Sequence, residues 1–287
     1  MTPSIGVIFR PDFHPSGLRD VATAAEAAGV DELWLWEDCF QQGGIAQVAV
    51  ALGATERLSV GIGLVPAPLR NVTAAAMEFA TLEAMFPGRT QIAVGHGVQS
   101  WMRQAGAAVA SPMTLLREYV TALRALLSGA EVTVDGRYVR LSDVRLEFAP
   151  ARPLPVLIGG TGPKTLRLAG ELADGVLVDS SYSTETVGDA LRHVADGRSA
   201  AAEARPFRTT MFVVCAPGPG TERRLTEEAA RQNVPAGGVL GVGGSAEEIA
   251  RGLGPYRDAG IDAIALQPLG PLAEMADFIA AAGRISS

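Results

Sequence analysis

The chain has 287 residues, of which 48% are hydrophobic and 19% charged, and its formal net charge is −7. This composition excludes an intrinsically disordered chain, and net acidity without a basic tract argues against nucleic acid as the main partner. No apolar run approaches the roughly 20 residues that a membrane-spanning helix needs, so no membrane partner is expected.

The first half of the chain alternates between short β-type runs and helical stretches. The pattern predicts strands over residues 4–9, 32–36, 58–65 and 90–94, and helices over 17–28 and 44–55. Asn71 is a suitable N-cap for a third helix that ends at Met85, just before Phe86-Pro87-Gly88. Each predicted strand of this half is therefore followed by a helix until residue 94.

The alternation then changes. A long helix is predicted over residues 112–127, followed by a hairpin over 131–141 whose Asp135-Gly136 dipeptide favours a tight turn. After a proline-rich segment, strands are predicted at 156–159, 175–179, 209–215 and 262–267. The helices that alternate with them fall near 163–173, 184–204, 221–233, 245–259 and 272–282.

Eight strands that alternate with helices predict an α/β fold, a closed parallel (β/α)8 barrel of the TIM-barrel type. Similar segments lead into three of the strands, at residues 27–31, 173–176 and 259–262, as expected of a repeated βα unit. We expect one domain over residues 1–287, with an insertion after the fourth strand at about residues 101–155.

The two cysteines and the chain's beginning predict a compartment. Cys39 and Cys215 form no disulfide framework, and the first residues carry neither the basic segment nor the apolar core of a secretory signal. We therefore expect a cytoplasmic protein. The sequence has no HExxH motif, cysteine cluster or close histidine pair, so no metal site is predicted.

In a parallel barrel the functional groups follow the carboxyl ends of the strands. After the fifth strand, Gly160, Thr161, Gly162, Pro163 and Lys164 lead into a helix. Glycines allow a ligand to approach the backbone, and the free amides of the helix favour an anion such as a phosphate. A plain glycine-rich turn is the alternative. Lys164 is the only lysine among the 24 basic residues.

The other strand ends supply candidate acids and bases. His96 can orient a ring or shuttle a proton, or be a hydrogen-bonded wall of the pocket. Asp38 can pair with Glu37 as acid and base, or both can cap helices. His14 follows the first strand, and Cys39 has no activating neighbour. Gly61 and Gly63 indicate a bulge or a close backbone–ligand approach within the third strand, or only a weakened strand.

Several stretches together resemble the luciferase-like oxidoreductases. They are Asn71 through Gly88-Arg89, Gly95-His-Gly-Val-Gln-Ser-Trp-Met-Arg-Gln-Ala-Gly106, and Gly160-Thr-Gly-Pro-Lys164 with Ala169-Gly-Glu-Leu-Ala-Asp-Gly175. The last resembles the phosphate loop of the deazaflavin-dependent branch, which includes methylenetetrahydromethanopterin reductase and the glucose-6-phosphate dehydrogenases that use coenzyme F420.

The resemblance implies roles for individual residues. Residues 160–164 would hold the phosphate of the cofactor, and Ile62–Gly63 would match the non-prolyl cis peptide that backs its ring. His96 and Gly97 would line the ring or its side chain, and Asp38 would lie near the polar edge of the ring. The chain has Cys39 and Val98 where the sugar-phosphate dehydrogenases carry a catalytic His and Glu, so sugar-phosphate oxidation is not expected.

Three functions remain open at this point. The first is hydride transfer between coenzyme F420 and a small or medium organic substrate, with Asp38, His96 or His14 as proton donor. The second is an FMN-dependent luciferase-like monooxygenase, and the third is a catalytically silent barrel that binds a flavin-type ligand or pairs with a paralogue. The apolar helices of such barrels often pair, so we expect a homo-oligomer.

Overall fold

The computed structural model describes residues 3–232, 234 and 240–286. Its strands are, in chain order, β1 (Ser4–Ile8), β2 (Glu32–Leu35), β3 (Ser59–Pro66), β4 (Thr90–Gly95), β5 (Val132–Asp135), β6 (Arg140–Val144), β7 (Val156–Gly159), β8 (Gly175–Val178), β9 (Arg208–Pro217), β10 (Val242–Gly244) and β11 (Ala263–Pro268). Its α-helices are α1 (Leu18–Ala27), α2 (Gly44–Gly53), α3 (Val72–Met85), α4 (Gln99–Gln104), α5 (Pro112–Leu127), α6 (Pro163–Leu172), α7 (Val187–Ser199), α8 (Thr221–Arg231), α9 (Ala246–Gly252), α10 (Gly254–Asp258) and α11 (Met275–Ser286).

Eight of these strands form a closed parallel barrel, as predicted. The order around the barrel is β1-β2-β3-β4-β7-β8-β9-β11, and β11 pairs in turn with β1. The short strand β10 extends the sheet outside the ring by pairing with the carboxyl end of β9. The structure is therefore a (β/α)8 barrel, with all the carboxyl ends of its strands at one rim.

The segment between β4 and β7 departs from the simple repeat. It contains α4, the long helix α5 and the antiparallel hairpin β5–β6. Glu118 of α5 accepts hydrogen bonds from the backbone N–H groups of residues 137–139, at 2.8–3.0 Å, and so attaches the hairpin turn to the helix. The predicted insertion is thus held against the barrel.

Most predicted elements agree with the structure within a few residues, and three differ. The helix predicted over residues 245–259 is two helices, α9 and α10, because Pro255 lacks the N–H group that a continuous helix needs at that position. Neither α4 nor β10 was predicted, since both are short and lie beside glycines. Residue 233, the predicted end of the helix that begins at residue 221, lies outside the described residues.

Small side chains on the barrel wall make room for one large one inside it. The Trp34 indole is fully buried in the interior, together with Ile8, Leu157, Leu177 and Phe212. Its Nε1 donates to Glu32 Oε2 at 2.7 Å, and Glu32 is held by Ser4 and Arg208 at the amino-terminal end of the barrel. A Cβ atom at Gly61 would lie only 2.5 Å from the indole. Side chains therefore fill the barrel interior from its amino-terminal end up to Trp34 and its neighbours.

A second, larger apolar cluster lies between the strands and the surrounding helices, and it includes Leu33, Val60, Phe79, Leu123 and Ile264. Asn71 caps α3 as predicted, because its side chain accepts a hydrogen bond from the Thr73 amide at 2.8 Å. Within the described part of the chain, no helix combines the length and apolar character required to cross a membrane.

The fit of Trp34 against Gly61 gives the first prediction. Gly61→Ala should lower the free energy of unfolding by about 1–3 kcal/mol, because the buried indole cannot move away from the added methyl group. Chemical denaturation measures the change. The matched control is Gly188→Ala in α7, where an added Cβ meets no atom within 4 Å and should keep or raise stability. Equal stability of Gly61→Ala and the unmodified protein would contradict this packing.

Candidate active site

The floor of the candidate site is apolar and aromatic. Trp36 and Leu64 lie against the interior cluster at the carboxyl-terminal rim, and the rings of Trp36 and Phe212 are 5.9 Å apart. Leu64 fits between two glycines, since a Cβ atom on Gly95 or Gly159 would come within 2.6 or 2.7 Å of its Cδ2. These side chains close the top of the barrel with a surface that suits a planar ring.

A β-bulge in β3 positions Leu64. The pairing of β3 with β4 runs in register up to Gly63 and resumes at Val65, so Leu64 is the extra residue. The predicted bulge is thereby confirmed, whereas the cis peptide expected at Ile62–Gly63 was wrong: cis bonds lie at Gly63–Leu64 and at Cys39–Phe40. The difference arises because Gly63 stays paired with Ala93 and packs against interior side chains, so the irregularity falls one residue later.

Glu37 is committed to a structural ion pair. Its two carboxylate oxygens accept hydrogen bonds from Arg70 at 2.6 and 2.7 Å, and Oε1 also accepts from the Gly44 amide at the start of α2 at 2.8 Å. The Glu37 side chain is only 7% exposed. This geometry favours the capping alternative for Glu37. Glu37 is therefore not available to act with Asp38 as an acid–base pair.

Asp38 is the half-buried carboxylate at this rim. It lies two residues after Trp36, just beyond the end of β2, and interacts with the Trp36 side chain. Burial raises the pKa of Asp38, the negative charge of Asp12 raises it further, and interaction with the Trp36 indole opposes the shift. A carboxyl group with a raised pKa is suited to proton transfer near neutral pH.

Two neighbours of Asp38 have different properties. Partial burial works to raise the pKa of Asp12, but hydrogen bonding and charge attraction from Arg10 outweigh it, so the pKa is lowered. Arg10 also donates to the Pro268 carbonyl at 2.9 Å, which joins the ends of β1 and β11. The pKa of the Cys39 thiol is raised by burial and by the charges of Glu37 and Asp38. The Cys39 thiol therefore stays protonated at neutral pH, which favours an inert role.

His96 lies beside the glycine-rich loop. Its Nε2 is 3.2 Å from Thr165 Oγ1 in the first turn of α6, and its Nδ1 is 3.3 Å from the Gly97 carbonyl. Gly97 has a φ of 66°, a conformation that favours glycine. Gln99 donates to the His96 carbonyl at 2.9 Å and so fixes this turn. The structure thus brings His96 and the start of α6 together.

The loop after β7 is open at the start of α6. Gly162 is the N-cap and has no side chain to cap the helix, and a Cβ atom there would meet nothing within 4 Å. Pro163 occupies the first turn, Thr161 and Lys164 are exposed, and a Cβ on Gly160 would lie 2.6 Å from Thr165. Tyr182, after β8, donates a hydrogen bond to the Thr161 carbonyl and so joins the loop to the segment that follows β8. The free amides and the positive end of the helix dipole face an uncrowded space.

His14 has a more peripheral position. It is exposed, and its Nδ1 is 2.8 Å from Ser16 Oγ in a cap of the short 3-10 turn Pro15–Gly17. No contact given by the structure joins His14 to Asp38 or His96, so its predicted catalytic role stays a prediction. Within the described ranges, no group of three or more His, Cys, Asp or Glu side chains can hold a metal ion.

Sequence reasoning missed three contributors to the site: Leu64, Phe212 and Tyr182. The alternation of β9 could have indicated that Phe212 faces inward, because it is four residues from the interior Arg208. The sequence gives no such indication for Leu64. Strand alternation counted from Gly61 places the Leu64 side chain on the outer face, and the bulge reverses this orientation. Tyr182 lies in the loop after β8, and only the tertiary structure brings that loop next to the loop after β7.

Comparison with known proteins places this geometry in a class. The family model for luciferase-like monooxygenases matches residues 4–258, and the chain belongs to that family. The fold agrees with solved structures: an F420-dependent secondary alcohol dehydrogenase bound to an F420–acetone adduct superposes with a TM-score of 0.84, at 22% identity over 96% of this chain and 97% of that one. The tetrahydromethanopterin reductase of Methanopyrus kandleri gives 0.83, at 19% identity over 99% and 98%.

Particular relatives narrow the comparison. The chain is 35% identical over 199 residues to an F420-dependent glucose-6-phosphate dehydrogenase of Nakamurella multipartita, which is 63% of this chain and 58% of the relative. It is 28% identical over 179 residues to a 5,10-methylenetetrahydromethanopterin reductase of Methanolobus tindarius, covering 62% and 55%. The aligned part thus spans less than two thirds of these relatives.

The raised pKa of Asp38 gives a prediction for stability. The folded protein holds this proton more tightly than the unfolded chain, so ionised Asp38 costs stability at neutral pH, and the cost disappears below the unfolded pKa of about 3.9. Asp38→Asn should therefore be more stable than the unmodified protein at pH 7, with a smaller difference at pH 4. Urea denaturation at the two pH values measures this. Asp135→Asn, at the exposed end of β5, gives the background effect of removing one negative charge.

Proposed function

We propose that the protein is an oxidoreductase that transfers a hydride between coenzyme F420 and a neutral small or medium organic substrate. The observation that carries the proposal is the uncapped, open start of α6, whose loop leaves β7 at Gly159, where Leu64 of the apolar floor packs. One part suits a phosphate and the other a planar ring. The relatives named as F420-dependent glucose-6-phosphate dehydrogenases support this cofactor.

The residues fit a phosphorylated ring cofactor. The space at Gly162 is free of side chains, and Lys164 adds a positive charge at the opening. Thr161, Gly162 and Lys164 would hold the phosphate through backbone N–H groups, with Gly160 and Pro163 shaping the loop, while Gly97 and His96 line the route from the floor. When bound, the deazaflavin supplies or accepts the hydride, and the protein orients it and excludes water from the floor.

The charges at the rim favour an uncharged substrate. Arg10 is paired with Asp12, and Arg70 is paired with Glu37, so neither guanidinium is free to bind a substrate phosphate. Lys164 lies at the cofactor loop. The residues in place of the sugar-phosphate dehydrogenases' catalytic His and Glu are Cys39, held as a thiol, and the exposed Val98. We infer that a ketone, an alcohol or a conjugated carbonyl compound is the substrate class.

Asp38 is our candidate for the proton transfer that accompanies hydride transfer. Its half-buried carboxyl has a raised pKa, which supports such a role, and it lies two residues after Trp36, just beyond the end of β2. His96 is assigned to the cofactor side chain, because its contact with Thr165 fixes it beside the loop. His14 remains the third candidate for proton transfer.

An FMN-dependent monooxygenase is the alternative function. FMN also ends in a phosphate and would use the same loop, and the oxygenating component of 3,6-diketocamphane monooxygenase in complex with FMN has the same fold, with a TM-score of 0.79. The two functions differ in the ring that the floor accepts. A side-by-side fluorescence titration with F420 and FMN separates them.

The proposal includes the cellular location and the oligomeric state of the enzyme. Cys39 and Cys215 are free thiols, which supports residence in the cytoplasm. Val50 on α2 and Met77 and Met85 on α3 are large apolar side chains exposed to solvent, which supports a homo-oligomer.

Gly162→Asp tests the phosphate loop. The carboxylate would cap α6, which raises helix stability by about 0.5 kcal/mol, and at the same time repel the phosphate. We expect loss of measurable F420 binding in a fluorescence titration, with an unchanged or higher melting temperature. Gly162→Ala, which fits the open space, should bind far better than Gly162→Asp. Unchanged affinity of Gly162→Asp would mean that no phosphate binds there.

Asp38→Asn tests the proton transfer. Loss of a general acid or base lowers turnover by about 10²–10⁴-fold. F420 affinity should stay within a few-fold, because the cofactor phosphate lies at the other loop. Stopped-flow spectroscopy of the deazaflavin with a panel of neutral ketones and alcohols measures the step. Equal turnover would remove Asp38 from the mechanism, and the absence of turnover in the unmodified protein would favour the catalytically silent barrel.

A further inference from the structure

A groove continues outward from the glycine-rich loop. It is a cavity of about 360 Å³ between the first turns of α5 and one face of α6. Met113 and Leu168 are among its apolar lining residues, and its charged residues are Arg117, Lys164, Arg167 and Glu171. Pro163 and Lys164 belong both to the groove and to the loop that we assign to the cofactor phosphate. The α5–α6 groove therefore begins at this loop.

The groove has available positive charge in a protein whose net charge is negative. Lys164, the only lysine of the chain, is exposed, and neither a hydrogen bond nor an ion pair to it is formed by the described residues. Arg167 is 59% exposed and pairs with Asp196, itself 58% exposed, at 3.1 Å. An exposed pair of this kind is weak and exchanges partners at little cost. Two cations near the loop can thus turn to a ligand.

At the other end of the groove, the charged side chains neutralise each other. Arg117 binds both oxygens of Glu171 at 2.6 and 2.7 Å, a bidentate pair that neutralises the acid of the groove. The order from the loop outward is therefore Lys164, Arg167 and then the Arg117–Glu171 pair. A row of cations over an apolar base suits a flexible chain with several carboxylates.

We propose that the α5–α6 groove binds the oligo-γ-glutamyl tail that F420 carries beyond its phosphate. The inference rests on the proposed function. The tail presents one carboxylate for each glutamate, and the first carboxylates would meet Lys164 and Arg167. FMN ends at the phosphate and has no group for this groove. The groove therefore also favours the deazaflavin over FMN.

The experiment compares two ligands by fluorescence titration: F420 with several glutamates, and the same phosphorylated coenzyme without glutamates. Exposed charge pairs contribute modestly and are screened by salt. The tail should therefore tighten binding by about three- to tenfold at low salt, and the gain should largely disappear at high salt. The ratio of the two affinities is the readout, because it cancels effects common to both ligands.

Variants locate the effect within the chain. Arg167→Gln should bring the affinity ratio towards one, and Glu171→Gln should raise it by releasing Arg117. Arg192→Gln is the matched control, since Arg192 is an exposed arginine that pairs with Asp189 on α7 outside the groove. This control should keep the ratio of the unmodified protein.

Each result has a distinct meaning. Tight binding of both ligands with a ratio of one overturns the groove and leaves the proposed function intact. An equal loss of the ratio in Arg167→Gln and Arg192→Gln also overturns it, because the tail would then sense only the overall charge. Binding of neither ligand overturns the proposed function and the groove with it.

Discussion

The packing of the Trp34 indole inside the barrel is the constraint on which the site depends. The indole occupies the centre, Gly61 leaves space beside it, and Glu32 holds its Nε1 from the amino-terminal end. Because the interior below the rim is filled, a ligand cannot descend into the barrel. The site that we propose therefore lies on top of it, on the surface formed by Trp36, Leu64 and Phe212. One buried ring thus sets the depth of the whole site.

The charged groups around this surface divide into two kinds. Arg10 and Arg70 have carboxylate partners and connect neighbouring strand ends, so their task is to hold the rim together. Asp38 and the amides at the start of α6 have no comparable commitment, and these are the groups to which we assign proton transfer and phosphate binding. Because the charged groups that hold the rim together are paired with each other, the remaining polar groups are available to a ligand.

The order of strands and helices could be read from the sequence, because hydrophobic periodicity and capping residues act over short distances. Asn71 illustrates a local signal that the structure follows, since it caps α3, and the predicted hairpin forms, although residues 136–139 connect its strands in place of a tight turn centred on Asp135-Gly136. The glycine-rich loop before α6 was also readable, since its glycines and Pro163 constrain the backbone directly. Pro255 was a local signal too, and it explains the break between α9 and α10.

The sequence by itself therefore determined the barrel class, the positions of most elements and the loop that is open to an anion. The tertiary structure alone decided that Glu37 pairs with Arg70, that Leu64 rather than Ile62 lies at the bulge, and that His96 contacts Thr165. The Glu37–Arg70 and His96–Thr165 contacts join residues 33 and 69 positions apart, and the bulge at Leu64 depends on the register between β3 and β4. A local pattern cannot encode them, because partners from different strands meet only when the barrel closes.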